Sequence, residues 1–200
     1  YTQIRYTYSE NVSCGTVRYI SQVAEDTDYF CSEYWGDWES AASHECGTSC
    51  ISMALSYIGI NVTPDTILTT YNGATVFGNS WGGAKYLTPS TFSEAFNDFD
   101  IGEGKYSPVI VRVKKYSTSG THFLLVVANK GSNKYTVIDP WSSSAAKFTA
   151  TIVDETITYK GITETLTDIR QYYYADAKLV VPKTSISAVT AKKSANVLLP

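Results

Sequence analysis

Two periods divide the chain. From Gly47 onward Ile51, Ala54, Leu55 and Ile58 recur at three- and four-residue steps, and Gly59 follows as a stop, which predicts a buried helix. Thr63 and Pro64 form a cap and first-turn pair that starts "TPDTILTTY" as a second helix. Thr88 and Pro89 repeat that device before Phe92, Ala95, Phe96 and Phe99, an apolar stripe at helical spacing. After residue 105 the period becomes two: "SPVIVRVKKY", "THFLLVVANK" and "KYTVIDPW" are strands joined by the hairpin-like connections "STSG" and "GSN". "AKFTATIV", "IRQYYYA" and "KLVVP" are further strand candidates. Near the start, Ile4, Tyr6 and Tyr8 alternate as in a half-buried strand, and "GTVRYISQV" reads the same way. Residues 30–42 and the Gly/Asn stretch "YNGATVFGNSWGG" read as loops. Helices first and an antiparallel sheet second make the class α+β, with one domain over 1–182 and a last strand or linker over 183–200.

Composition narrows the function classes. The chain is 44% apolar with 16 tyrosines, so it has enough core-forming residues to fold. A net charge of −3 without a basic stripe excludes a nucleic-acid binder as the leading reading. No run is long and apolar enough to cross a bilayer, so no membrane partner is expected. The opening "YTQIRYTY" is not a signal peptide and is read as the start of a mature protein or excised module. The hydroxyl-rich, charge-poor texture is common in extracellular bacterial modules, so a secreted setting beside other modules is expected.

Four cysteines and two histidines bound the chemistry. A thiol becomes a strong nucleophile as a thiolate, helped by a helix N-terminus and an imidazole within reach. Cys46 stands immediately before the predicted helix, and Gly47 gives a substrate carbonyl close access to backbone N–H donors. Cys14 precedes a strand and lacks that help. His44 is two residues from Cys46 and flanks the site rather than facing the sulfur. His122 opens the strand "HFLLVVA". If that strand pairs with 134–139 around "KGSN", Asp139 lies beside His122 and accepts its second ring N–H, the role of the acid in a triad. Cys50, one turn into the helix, reads as core. A zinc site from His44, Cys46, Cys50 and His122 lacks a second paired knuckle, so no metal or cofactor is expected. Trp81 and Trp141 are expected to wall the cleft. Cys14 and Cys31 form a disulfide if the protein is exported, an option left open.

"ECGTSCISMALSYIG", "TPDTI" and "SPVIVRV…GTHFLLVVA…YTVIDPW" together resemble the papain-like fold in its bacterial double-glycine, C39-like peptidase form, over roughly residues 43–145. The resemblance implies a central helix carrying the cysteine, packed on a C-terminal antiparallel sheet, with Cys46 as nucleophile, His122 as base and Asp139 as orienting acid. It implies a peptide or related amide as substrate, or acyl transfer to an amine. One position departs from the pattern: Ser40 stands where such peptidases place a glutamine oxyanion donor, six residues before the cysteine. Loss of such a donor costs about two to three orders of magnitude in turnover, and Ser40, Ser43, His44 and the Trp38 N–H are the candidates to replace it. The alternative is a catalytically silent binding or regulatory module of the same fold, as in papain-like modules appended to cellulosomal proteins.

Overall fold

The computed structural model describes residues 17, 19–20, 46–64, 66–67, 78, 80–114, 121–141 and 147–177. Helix α1 spans Cys46–Tyr57, strand β1 Lys85–Leu87 and helix α2 Phe92–Ile101. The other strands are β2 (Val109–Lys114), β3 (Thr121–Gly131), β4 (Lys134–Ile138), β5 (Lys147–Val153), β6 (Thr156–Tyr159), β7 (Ile162–Thr165) and β8 (Asp168–Tyr173). They make one eight-stranded antiparallel sheet in the order β1-β8-β2-β3-β4-β5-β6-β7. The architecture is mostly antiparallel sheet with a few helices. Of the expected strand "GTVRYISQV" only Val17, Tyr19 and Ile20 are described, in or against the α1 core and without strand pairing. The rest of it, the strand around Ile4 to Tyr8, the aromatic loop at 30–42, Cys14, Cys31, Phe77, "KLVVP" and the tail lie outside the described residues.

Helix α1 is buried without a break from Cys46 to Ser56, the mark of a helix enclosed by the core rather than laid on a surface. Its inward hydroxyls bond locally: Ser52 Oγ donates to the Val62 carbonyl, and Ser56 Oγ to the Met53 carbonyl at 2.7 Å. Gly59 ends it as the sequence predicts. With φ at 86°, its N–H donates to Ser56 O and the Ile60 N–H reaches back to Leu55 O, which satisfies two orphan carbonyls. Thr63 caps the next turn, accepting from Thr66 N–H on its side chain and Ile67 N–H on its carbonyl, both at 3.1 Å.

Helix α2 starts later than "TP" suggests. Thr91, not Thr88, is the cap: its hydroxyl accepts from Glu94 N–H, and Glu94 Oε2 accepts from Ser90 N–H, both at 3.1 Å. This reciprocal arrangement satisfies two helix-start donors at once, so it outcompetes a proline that offers only a suitable φ. Phe92, Ala95, Phe96 and Phe99 are its buried face.

Alternation along the strands feeds two separate cores, because successive side chains point to opposite faces. Ile110, Leu125, Ile138 and Tyr172 pack with Cys50, Ile51, Met53, Ala54 and Leu55 of α1. Val109, Val111, Val113, Leu124, Val126, Val137, Ala150 and Ile152 pack with the phenylalanines of α2. The strip from β2 to β7 curls around this second core until its ends meet: Lys114 N–H donates to Glu164 Oε2 at 2.6 Å and Thr167 N–H to Arg112 O at 3.2 Å.

Two sequence expectations need correction. The helices do not all precede the sheet, since β1 pairs with β8 before α2 begins. In addition, β6 and β7 form a hairpin that the sequence reading passed over. Ser132–Asn133, Asp154–Glu155 and Lys160–Gly161 all have positive φ, the two-residue turns whose twist matches that of paired strands. The meander β3 to β7 therefore gathers the starts of β3, β5 and β7 and the ends of β4 and β6 at one end of the sheet.

Candidate active site

That end carries the polar cluster. His122 is the second residue of β3, and Asp139 follows the last residue of β4; both are buried. The pairing of Leu125 with Ile138 brings the two together as hairpin geometry predicts. His122 Nε2 and Asp139 Oδ1 are 2.7 Å apart. His122 also hydrogen-bonds the side chain of Cys46, the first residue of α1. With Nε2 engaged by the carboxylate, Nδ1 is the ring nitrogen left to face the sulfur. Residues separated by 76 and 17 positions thus share one line of contacts.

Electrostatics favour charge on this line. Burial alone would lower the His122 pKa, but the hydrogen bond to Asp139, then that with Cys46 and the charges of both, raise it to about 9. These contacts favour the charged ring at neutral pH. Burial pushes the Asp139 carboxyl up, and His122, Lys160 and the Trp141 N–H outweigh it, so the net direction is down. Asp139 therefore stabilises the fold above its ordinary pKa of 3.8, an effect lost as pH falls through the depressed value. His122 stabilises it fully below 6.5, an effect lost as pH rises through about 9. Both contributions are complete only between 3.8 and 6.5.

The other expected site residues divide. Gly47 is buried in the first turn of α1, where early helix N–H groups have no intrahelical acceptor. Trp141 is 43% exposed beside the cluster, and its N–H donates to Asp139 Oδ1 at 2.9 Å. Trp81 packs against the α1 core. Ser40 and His44 lie outside the described residues. Cys50 is free and fully buried, and burial followed by the charges of Cys46 and Asp139 pushes its thiol well above 9.0. It stays protonated and packs as core. Among the described residues no group of three or more His, Cys, Asp or Glu could hold a metal ion.

Sequence reasoning missed two contacts of Asp139. Tyr159 Oη donates to Oδ2 at 2.5 Å and Lys160 Nζ at 3.0 Å. Both come from the β6–β7 hairpin, whose signal was the alternation of "TITY" and "ITET" around Lys-Gly. A cysteine sulfur, an imidazole that can hold and release a proton and a fixed carboxylate in sequence can perform attack on a carbonyl carbon with proton return to a leaving group.

A family model, the Peptidase_C39 like family, matches residues 15–167. Among solved structures the chain is similar to the crystal structure of the peptidase domain of Streptococcus ComA, described as a bi-functional ABC transporter involved in a quorum-sensing pathway. The two are 14% identical, with 66% of this chain and 93% of that one covered and a TM-score of 0.44, a likeness too distant to assign any residue a role. No curated protein matches the chain.

Proposed function

This chain belongs to the Peptidase_C39 like family, and from that premise we propose that it is a papain-like thiol hydrolase acting on a peptide or related amide. The hydrogen-bonded line from Cys46 through His122 to Asp139 is the observation that carries the reading. The Cys46 thiolate, paired with the His122 imidazolium, attacks the carbonyl carbon, and the C=O π electrons move to oxygen. The oxyanion is held by the Cys46 N–H at the start of α1 and by a group from Ser40 to His44. His122 gives its proton to the departing amine as the C–N bond breaks, leaving an acyl-thioester. Water then attacks the thioester while His122 takes its proton, and collapse of that intermediate breaks the C–S bond, releasing the carboxylic acid and restoring the Cys46 thiolate beside the His122 imidazolium. Asp139 keeps the ring in one orientation throughout.

Trp141, exposed next to Asp139, offers a flat apolar surface to the substrate chain. The extracellular setting and neighbouring modules expected from composition belong to the same proposal.

Alkylation kinetics test it directly. Iodoacetamide at pH 6 reacts with Cys46 in the wild type and about tenfold or more slowly in His122→Ala. Equal rates in the two proteins would show that the imidazole does not activate the sulfur and would remove the hydrolase reading.

A further inference from the structure

The Asp139 carboxylate is fully buried, yet four donors reach it: His122 Nε2 and the Trp141 N–H on Oδ1, Tyr159 Oη and Lys160 Nζ on Oδ2. Its lone pairs are fully used. The two donors on Oδ2 come from outside the β3–β4 hairpin. Tyr159 ends β6 and Lys160 begins the turn to β7, with φ at 48°, a conformation that costs a non-glycine residue about 1–2 kcal/mol. The ammonium lies 4.0 Å from the centre of the Phe148 ring and 5.1 Å from that of Tyr159, and the two rings meet edge to face. Strained backbone, aromatic faces and carboxylate together fix where Nζ sits.

Cys46, His122, Asp139 and Lys160 form a row in which the charges can alternate in sign. In the proposed reaction His122 loses its charge each time it protonates a leaving amine. Were His122 the only counter-charge, that step would strand a buried carboxylate, a state disfavoured by several kcal/mol. The ring would then hold its proton. A permanent cation on the opposite oxygen removes this obstacle.

We infer that Lys160 is a positioning residue for the proposed thiol hydrolysis, keeping Asp139 ionised from the far side so that His122 can release its proton. The inference rests on the reading of Cys46 as nucleophile and His122 as acid and base. Tyr159 holds the same oxygen in place. Among the described residues the groups facing His122 are Cys46 and Asp139, with Cys50 in electrostatic reach of both and Tyr159 and Lys160 acting through the carboxylate.

Lys160→Met keeps an unbranched stem over Phe148 and removes the charge; Lys160→Gln repeats the loss with a polar end, and Lys160→Arg retains the charge. NMR of the full chain follows the ring of His122, whose resonance is identified by its disappearance in His122→Gln. The His122 titration moves upward in Lys160→Met and Lys160→Gln and returns towards wild type in Lys160→Arg. For an amide substrate kcat/KM falls about tenfold in Lys160→Met, while a nitrophenyl ester, whose leaving group needs no proton, changes by less than about threefold. An unmoved or lowered His122 titration in the folded neutral variants overturns the inference, as does an equal loss on both substrates. The titration needs no turnover, so a wild type that cleaves no amide counts against the hydrolase reading while the ring still answers for Lys160.

Discussion

The two helices solve the same problem in opposite ways. α2 lies on the curled sheet and buries one stripe, Phe92, Ala95, Phe96 and Phe99, with Thr91 and Glu94 closing its first turn. α1 is buried from Cys46 to Ser56, although Thr48, Ser49, Ser52 and Ser56 are polar. A helix that only packs needs an apolar face and a cap. A helix that presents a sulfur at its first residue has to run through the interior to aim its positive end at the cluster, and it accepts buried hydroxyls along the way. The Ser49 hydroxyl has no hydrogen-bond partner among the described residues, a cost with no packing return. The difference separates a well-satisfied scaffold helix from a less well-satisfied one that presents Cys46 to the polar cluster.

Substitutions at both helices sharpen or break this contrast. Cys46→Ala lowers kcat/KM on the best substrate from a peptide library by about 10⁴-fold or more, with a melting temperature close to wild type. Unchanged turnover would take the reaction away from α1. In the active protein, turnover also declines as pH rises through about 9, where His122 loses the proton it gives to the leaving amine; an activity still level well above that value would count against His122 as the acid. Phe96→Ala at a buried position of α2 destabilises by about 3–5 kcal/mol in urea unfolding. Below the unfolding transition it leaves the alkylation rate of Cys46 as it was, whereas a changed rate would tie α2 to the chemistry. Ser49→Ala has the smallest effect and the opposite sign, a gain of about 0.5 kcal/mol, since it removes an unpaired hydroxyl and improves helix propensity. A loss instead would show that Ser49 has a role in α1.

Legibility in the sequence followed the strength of local signals. The α1 stop at Gly59, the Thr63 cap and strands β2 to β5 were readable because glycine, proline and strict alternation act over a few residues. The approach of His122 to Asp139 was readable because "GSN" lies between two clear strands, and pairing around a short turn leaves little freedom. The start of α2 was misread because Pro89 is conspicuous in a sequence, while the bonds among Ser90, Thr91 and Glu94 depend on coordinates. β6 and β7 were missed since Asp154-Glu155 contains neither glycine nor asparagine, although both residues adopt positive φ. With that hairpin unseen, Tyr159 and Lys160 had no route to Asp139. The contact between Cys46 and His122 is long-range, and local patterning could offer only two candidate imidazoles for it.

The meander also sorts its connections into those free to vary and those that are not. Ser132 and Asn133 sit exposed at the end of the sheet away from His122, so extra residues spliced between them would lengthen a tip and leave the reacting groups where they are. Lys160 and Gly161 form a turn of the same length beside Asp139, and a single added residue there would swing the ammonium away from the carboxylate. Among homologous chains, length variation should therefore collect at the first turn and be scarce at the second.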